Sequence, residues 1–244
     1  MVPSLLYDDR YAPITKEIGF LECDAAAAAA AFQEWQLPIQ SGRGVRLNRQ
    51  ELVGGFPAKL ERLLPLTSHE ARRFLFLPTA SKWTAYLDSG WRGTDAFSTV
   101  SYLATTIGCR GIRAVSVPHT MRKTTTGEAG RYGATILELY AADSSGCSFL
   151  NVQRSIFAAN DGGRWKFGAN GQPFDFEQLE RYKARQIRDR FTPEMLDEYL
   201  RHFGIRFFSP DFYEVPQPAY LITKEGSCAA GMKEYSLDEA RSSY

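Results

Sequence analysis

The sequence predicts an α+β fold: a single, largely antiparallel sheet of about six strands, helices packed on one side of it, and two consecutive C-terminal helices. Three observations predict this class. Strand-like segments follow one another with short turns between them, as in an antiparallel meander. One helical pattern interrupts these segments, and two further helical patterns follow the last hairpin.

The last hairpin is the clearest local feature. Its turn is predicted at 160–163, where Asn-Asp-Gly-Gly accepts positive φ. This turn joins a strand over 149–159 to a strand that starts at Arg164 and ends at Gly168. A turn at 143–146 similarly joins 149–159 to a strand over 132–142.

Two helices are predicted directly after the hairpin. Asp175 is placed to cap a helix from about Phe176 to Phe191, and Gln178 completes a capping box. A second helix starts after Thr192, because threonine caps and the following proline suits the first helical position. Gly204 is placed to end this second helix in the left-handed backbone conformation.

A β-β-α-β unit is predicted earlier in the chain. Strands over 74–78 and 83–88 precede a helix that Thr94 or Asp95 caps and that runs to about Ile107. The alternating segment 110–118 then gives the next strand.

The N-terminal part shows one clear helix. Asp24 precedes seven alanines, and we expect the helix to stop before Pro38. Residues 39–66 carry scattered Gly and Pro, which predicts short strands or turns and a helical turn near 58–63.

We expect one domain over 1–222, with a helical and irregular part at 1–70 and the core at 71–222. A polar tail over 223–244 follows. The segment 207–220 carries five aromatic side chains and three prolines, and we expect it to fold back over the core.

The composition argues against several classes of function. The net charge is +1, from 29 basic and 28 acidic residues, which argues against general nucleic-acid binding. No run is long enough to cross a membrane, and the alanine run lacks the basic leader of a signal peptide. The four cysteines show no metal-binding or redox spacing, so we expect reduced thiols and a cytoplasmic location. The oligomeric state stays open.

His119 is the candidate general base among three histidines. It follows the strand 110–118 and begins a Thr- and Gly-rich polar loop over 119–131, where a catalytic or binding group could stand. No nucleophile or metal partner lies near it in sequence, so we favour an inert role. We expect no catalytic residue set, no metal and no cofactor.

Several carboxylates have structural explanations. Asp88, Asp95 and Asp161 lie where turns and helix caps are predicted. Glu138 should pair across strands with Arg154. A close pair of carboxylates could still perform acid-base chemistry if the fold brought them together.

Three motifs carry a resemblance: WTAYLDSGWRGTD at 83–95, GRWKFGANGQPFDFE at 163–177 and IRDRFTPEMLDEYLRHFGI at 187–205. Over about 74–213 the chain resembles uncharacterised bacterial proteins similar to cytoplasmic immunity proteins of polymorphic toxin systems. The resemblance implies a protein that binds a cognate toxin and covers its active site, and it supplies no catalytic residues.

Under this hypothesis the binding surface combines aromatic and basic residues in a polar setting. The candidates are Trp91, Arg92, His119, Arg122, Lys123, Arg131, Tyr132, Phe212 and Tyr213. The alternative is a small-molecule enzyme, a hydrolase or transferase, with a pocket near His119 and the sheet carboxylates. A small-ligand binding module without chemistry is a third possibility.

Overall fold

The computed structural model describes residues 5–125, 127–143 and 150–242, the side chains of 124, 127 and 128 excepted. The strands are β1 (Glu17–Leu21), β2 (Val45–Leu52), β3 (Leu66–Thr67), β4 (Arg73–Pro78), β5 (Thr84–Asp88), β6 (Gly111–Val117), β7 (Arg122–Thr124), β8 (Gly127–Ala129), β9 (Ala134–Tyr140), β10 (Val152–Asn160), β11 (Trp165–Asn170), β12 (Ala219–Gly226) and β13 (Glu234–Tyr235). The α-helices are α1 (Ala25–Ser41), α2 (Phe56–Glu61), α3 (Ala96–Ile107), α4 (Pro193–His202) and α5 (Leu237–Ser242). No helix within the described ranges is long and apolar enough to cross a membrane.

The fold centres on one large open sheet. Its described part has nine strands in the order β11-β10-β9-β6-β1-β5-β4-β12-β2. Every neighbouring pair in it is antiparallel. The predicted class is therefore confirmed, but the sheet is larger than the six strands expected.

Helices cover both faces of this sheet, so the expectation of helices on one side was wrong. Alternating residues of β5 explain the difference, because every position in that strand is buried. Ala85 and Leu87 join the core that contains α2 and α4, whereas Tyr86 joins the core under α1 and α3. Central strands that are buried on both faces require a layer on each side.

The predicted β-β-α-β unit and its caps are confirmed. Asp95 accepts from the backbone N–H of Ser98 at the start of α3, and Gly108 ends the helix with φ +73°. Thr192 similarly caps α4. The hairpin at 160–163 also forms between β10 and β11, although β11 continues past Gly168 to Asn170. The turn predicted at 143–146 lies largely outside the described residues.

The helix predicted over 176–191 does not form. Short 3-10 turns at Arg181–Lys183 and Ile187–Asp189 replace it. Glu177 reaches into the protein instead, where its carboxylate accepts two hydrogen bonds from Arg154 of β10 at 2.8 and 2.5 Å. A buried guanidinium needs such a partner, and this requirement outweighs the local helical pattern.

The predicted Glu138–Arg154 pair was wrong, because Arg154 pairs with Glu177 instead. In β9, Glu138 lies opposite Ser155, so Arg154 projects from the other face of the sheet. Glu138 pairs instead with Arg113 of β6 at 3.1 Å. Arg113 also binds Glu17 at 2.8 Å, which makes a three-residue charge cluster across three strands.

Two further boundaries differ from those expected. Helix α1 continues past Pro38 to Ser41, because the proline lies on the exposed face near the helix end. The boundary expected at 222 falls inside β12, which pairs with both β2 and β4 and continues to Gly226. Beyond it, Ser236 and Glu239 form a cap at the start of α5.

Candidate functional site

A cleft opens between α1 and α3, above β4, β5 and β12. We call it the α1–α3 cleft, and its volume is about 350 Å³. The wall groups are Phe32, Trp35 and Gln36 of α1, residues 67, 69–71, 90–93 and 95, and Ser98 and Thr99 of α3. Phe74, Tyr86, Asp88 and Lys224 of the strands complete the lining.

Asp88 is the buried carboxylate of this cleft. It ends β5, and its Oδ1 accepts from the Gly90 backbone N–H at 2.8 Å. Its Oδ2 accepts from the Asp95 backbone N–H at 2.9 Å and from the Tyr86 hydroxyl at 3.0 Å. Burial raises the pKa of Asp88 to about 6, against the opposing effect of these donors. The predicted turn-forming role of Asp88 is thus accompanied by a raised pKa.

A chain of hydroxyls extends from Asp88. Thr99 Oγ1 donates to the Tyr86 hydroxyl at 3.2 Å, which in turn donates to Asp88. Burial, followed by the nearby Asp88 charge, raises the pKa of Tyr86 well above its usual range. Tyr86 therefore keeps its proton and serves as a hydrogen-bond donor within the wall.

A cluster of charges forms another part of the lining. Glu70 accepts from Arg72 Nη1 at 3.1 Å and lies 3.8 Å from Lys224 Nζ. Lys224 also lies over the Phe74 ring, 5.1 Å from its centroid. Burial lowers the pKa of Lys224, and the Glu70 charge opposes this effect. Glu70 and Lys224 thus give the cleft a charged wall, in which one carboxylate lies between two cations.

The rim of the cleft is aromatic and cationic. Trp91 stacks on Tyr235 with ring centroids 5.0 Å apart and an interplanar angle of 15°. The exposed Arg92 places its guanidinium carbon 4.9 Å from the centroid of Trp91. We call these three side chains the Trp91 rim. Trp91 and Arg92, which the sequence analysis proposed, therefore lie together.

The turn that carries the rim depends on glycine. A Cβ at Gly90 would lie 2.5 Å from the Gly93 carbonyl oxygen, and Gly93 itself has φ +120°. Only glycine combines such a close approach with such a backbone angle at low cost. The sequence Gly90-Trp-Arg-Gly93 thus holds the two rim residues in a tight, fixed loop.

Most other candidates lie away from this cleft, near the β7–β8 hairpin. His119 is exposed, and its Nδ1 accepts from the Gly133 backbone N–H at 3.1 Å. Its ring lies 5.5 Å from that of Trp165 and 6.4 Å from that of Tyr132. These contacts favour a packing role for His119.

The hairpin replaces the purely irregular loop that was predicted over 119–131. Arg122 and Lys123 are exposed on it. Arg131 pairs with Asp9 and, with Arg122 and Arg241, lines a second cavity of about 500 Å³. This arrangement is a mixed-charge surface distinct from the Trp91 rim.

The last two candidates lie in the core. Phe212 is 1% exposed and Tyr213 is 0% exposed. Tyr213 stacks on Phe56 at 4.7 Å, and its hydroxyl donates to the Phe207 carbonyl at 2.9 Å. The segment does fold back over the core as predicted, and for that reason these two side chains form no part of an exposed surface.

Sequence reasoning missed Trp35, Glu70 and Lys224 as cleft residues. Glu70 and Lys224 come from distant parts of the chain, and no local pattern joins them. Across the described ranges, no group of three or more His, Cys, Asp or Glu side chains could hold a metal ion. No protein-family model, curated protein or solved structure matches this chain.

Proposed function

We propose that the protein is a cytoplasmic immunity protein that binds a cognate bacterial toxin and covers the toxin's active site. The motif resemblance at 83–95 motivates the class, and the Trp91 rim beside an open cleft is the observation that carries the proposal. The rim and the α1–α3 cleft are the contact surface in this proposal. The proposed contact surface acts by binding alone and catalyses no reaction.

The hydrogen bonds that the cleft's carboxylates already make within the protein support a binding function over a catalytic one. Asp88 already accepts three hydrogen bonds from protein donors, two of them backbone N–H groups. Asp95 caps α3, and Glu70 is held by Arg72. A general base must reach a substrate proton within hydrogen-bond distance, and these acids are occupied in holding the protein's own structure.

The rim supports recognition of a protein. Tryptophan and arginine are enriched among residues that dominate binding energy, and they act best when held rigid beside a pocket. Stacking on Tyr235 and the nearby Arg92 guanidinium restrict the indole before a partner arrives. A cleft of about 350 Å³ is large enough to receive one or two side chains of a partner loop.

An enzyme is the second candidate, and one observation favours it. A fully buried carboxylate with a pKa of about 6 lines the cleft, and such groups are concentrated at catalytic sites. The candidate differs from the enzyme alternative of the sequence analysis, because the carboxylate is Asp88 and His119 lies outside this cleft.

The experiment combines capture with a growth assay. Tagged protein is purified from its native host, and the captured protein is then expressed alone in a surrogate bacterium. We expect one stoichiometric partner that arrests growth, and growth restored when the chain is co-expressed. A partner without effect on growth, or no partner at all, would refute the immunity function.

Variants locate the surface in the same assay. Trp91→Ala combined with Arg92→Ala should lose both capture and protection, because it removes the rim. Arg185→Ala is the matched control, since Arg185 is an exposed arginine outside the cleft lining. Asp88→Asn tests the enzyme candidate: protection that depends on Asp88 ionisation in a folded protein, with binding unchanged, would favour catalysis.

A further inference from the structure

Cys23 and Cys109 lie side by side, although 85 residues separate them in the sequence. Cys23 follows β1 and Cys109 precedes β6, and these strands pair with Leu21 opposite Gly111. The ladder continues one step further, because the Glu22 backbone N–H donates to the Arg110 carbonyl at 2.9 Å. Cys23 and Cys109 are the next residues beyond this bond, where the Cys23 N–H turns back to the Leu21 carbonyl at 2.9 Å and the ladder ends.

This position at the end of the ladder suits a disulfide. Opposed residues of an antiparallel ladder have Cα atoms roughly 4.5 to 5.5 Å apart, and the two cysteines lie two residues beyond the last ladder pair, Leu21 and Gly111. Disulfides span Cα separations of roughly 4.4 to 6.8 Å. The two thiols are close enough for each to shift the pKa of the other. The two sulfur atoms can therefore bond without a rearrangement of the strands.

The thiols are also accessible. Both cysteines are half-buried, and Cys23 lines a cavity of about 600 Å³ together with Asp24, Lys82 and Trp83. A small oxidant can reach a sulfur atom in such a position. A zinc site is a poor fit, since structural zinc takes four ligands and no set of three candidate ligands exists in the described part of the chain.

We propose that Cys23 and Cys109 are a redox-active pair that hydrogen peroxide oxidises reversibly to a disulfide. The Cys109 thiolate attacks one peroxide oxygen, so that an S–O bond forms, the O–O bond breaks and one water leaves with the thiol proton. The Cys23 sulfur then attacks the Cys109 sulfur, the S–O bond breaks, and the hydroxide leaves as a second water with the Cys23 proton. Two thiols lose two electrons in total, and one peroxide becomes two waters.

The roles of the two sulfur atoms follow from their surroundings. The hydrogen bond from Cys23 lowers the pKa of Cys109 and, conversely, raises the pKa of Cys23. The thiolate is the nucleophile, so Cys109 reacts with peroxide first and Cys23 resolves the sulfenic acid.

Oxidation would link the two helices that form the cleft walls. Cys23 lies directly before Asp24, the cap of α1, and Cys109 lies directly after Gly108, the end of α3. The α1–α3 cleft lies towards the opposite ends of these helices, at Trp35 and Ser98. The disulfide would restrain α1 against α3 without occupying the cleft.

The test uses full-length protein with Cys147→Ser and Cys228→Ser, so that only the pair remains. The reduced protein is treated with hydrogen peroxide, and its peptides are mapped without reduction. We expect a Cys23–Cys109 linkage that dithiothreitol reverses, together with a Tm that rises by several degrees on oxidation. In a matched variant that also carries Cys23→Ser, we expect Cys109 sulfenic acid trapped by dimedone and no rise in Tm.

Two results would overturn the proposal. Full alkylation of both thiols after peroxide treatment of folded protein would show that the pair does not react. Irreversible sulfinic or sulfonic acid at Cys109 while Cys23 stays intact would show that Cys23 does not resolve the oxidised sulfur. A circular dichroism spectrum matching that of the untreated protein ensures that the folded state is being tested.

Discussion

Removal of the Glu177 carboxylate should destabilise the protein more than removal of almost any other single charge. Glu177 is held by both Nε and Nη2 of Arg154 and also accepts from the Phe174 backbone N–H at 3.0 Å and from the Tyr182 hydroxyl at 2.8 Å. The side chains of Arg154 and Glu177 are only 3% and 0% exposed. Glu177→Ala would leave the guanidinium buried without its counter-ion.

The expected magnitude follows from the cost of an unpaired buried charge. Removing one partner of a buried ion pair costs about 3–5 kcal/mol. For a chain of this size, each kcal/mol lowers Tm by about 2–4 °C, so the variant should melt roughly 6–20 °C lower. The segment 174–190 should lose order first, because Glu177 is what fixes it against β10.

Urea unfolding followed by circular dichroism measures this change. Glu180→Ala is the control, since the Glu180–Lys183 pair is 86% and 73% exposed and should contribute under about 0.5 kcal/mol. Arg154→Met with Glu177→Leu should recover most of the lost stability, because it removes both charges together. A Glu177→Ala protein as stable as the Glu180→Ala control would refute this reasoning.

Two other changes have predictable effects on stability. Burial raises the pKa of Asp88 from 3.8 to about 6, so the native state binds the Asp88 proton more tightly than the unfolded state does. Protonated Asp88 therefore stabilises the native state fully below pH 3.8, and this stabilisation is lost as the pH rises through 6. Relative to Asp88→Asn, the wild-type free energy of unfolding should therefore fall by about 2 kcal/mol between pH 4 and pH 6, and a constant difference in urea titrations would contradict this. Gly19→Ala would place a Cβ 2.3 Å from Val100 Cγ2 under α3, which should cost about 1–3 kcal/mol by overpacking. Gly163→Ala, whose Cβ would meet nothing nearer than 3.9 Å, is the control in the same thermal melts, and equal Tm values would count against the packing argument.

Local chemistry made several elements predictable. Asp95 and Gly108 bound α3 because a side-chain cap and a left-handed exit are properties of single residues. The Thr192 cap of α4 and the glycine-rich turn at 160–163 follow for the same reason. In each case the sequence contained the physical cause within a few residues.

The features that the sequence did not predict depend on contacts between residues that are distant in the chain. The segment 176–191 has a helical pattern, yet Glu177 is drawn to Arg154 on a strand 23 residues earlier in the chain. The α1–α3 cleft likewise joins Glu70 to Lys224, which the sequence separates by more than half the chain. Trp91 and Arg92 lie together because one short Gly-bounded turn carries both, whereas Phe212 and Tyr213 are buried because aromatic segments cover a core as readily as they form a surface.

The most direct test of the binding hypothesis is the affinity of the captured partner for rim variants, measured by isothermal titration calorimetry. If the Trp91 rim anchors the partner, Trp91→Ala should raise Kd by about 30-fold or more. This is the effect of losing roughly 2 kcal/mol of binding free energy at a hot spot. Arg185→Ala should leave Kd unchanged. Equal affinities for wild type and a folded Trp91→Ala protein would contradict recognition through this surface.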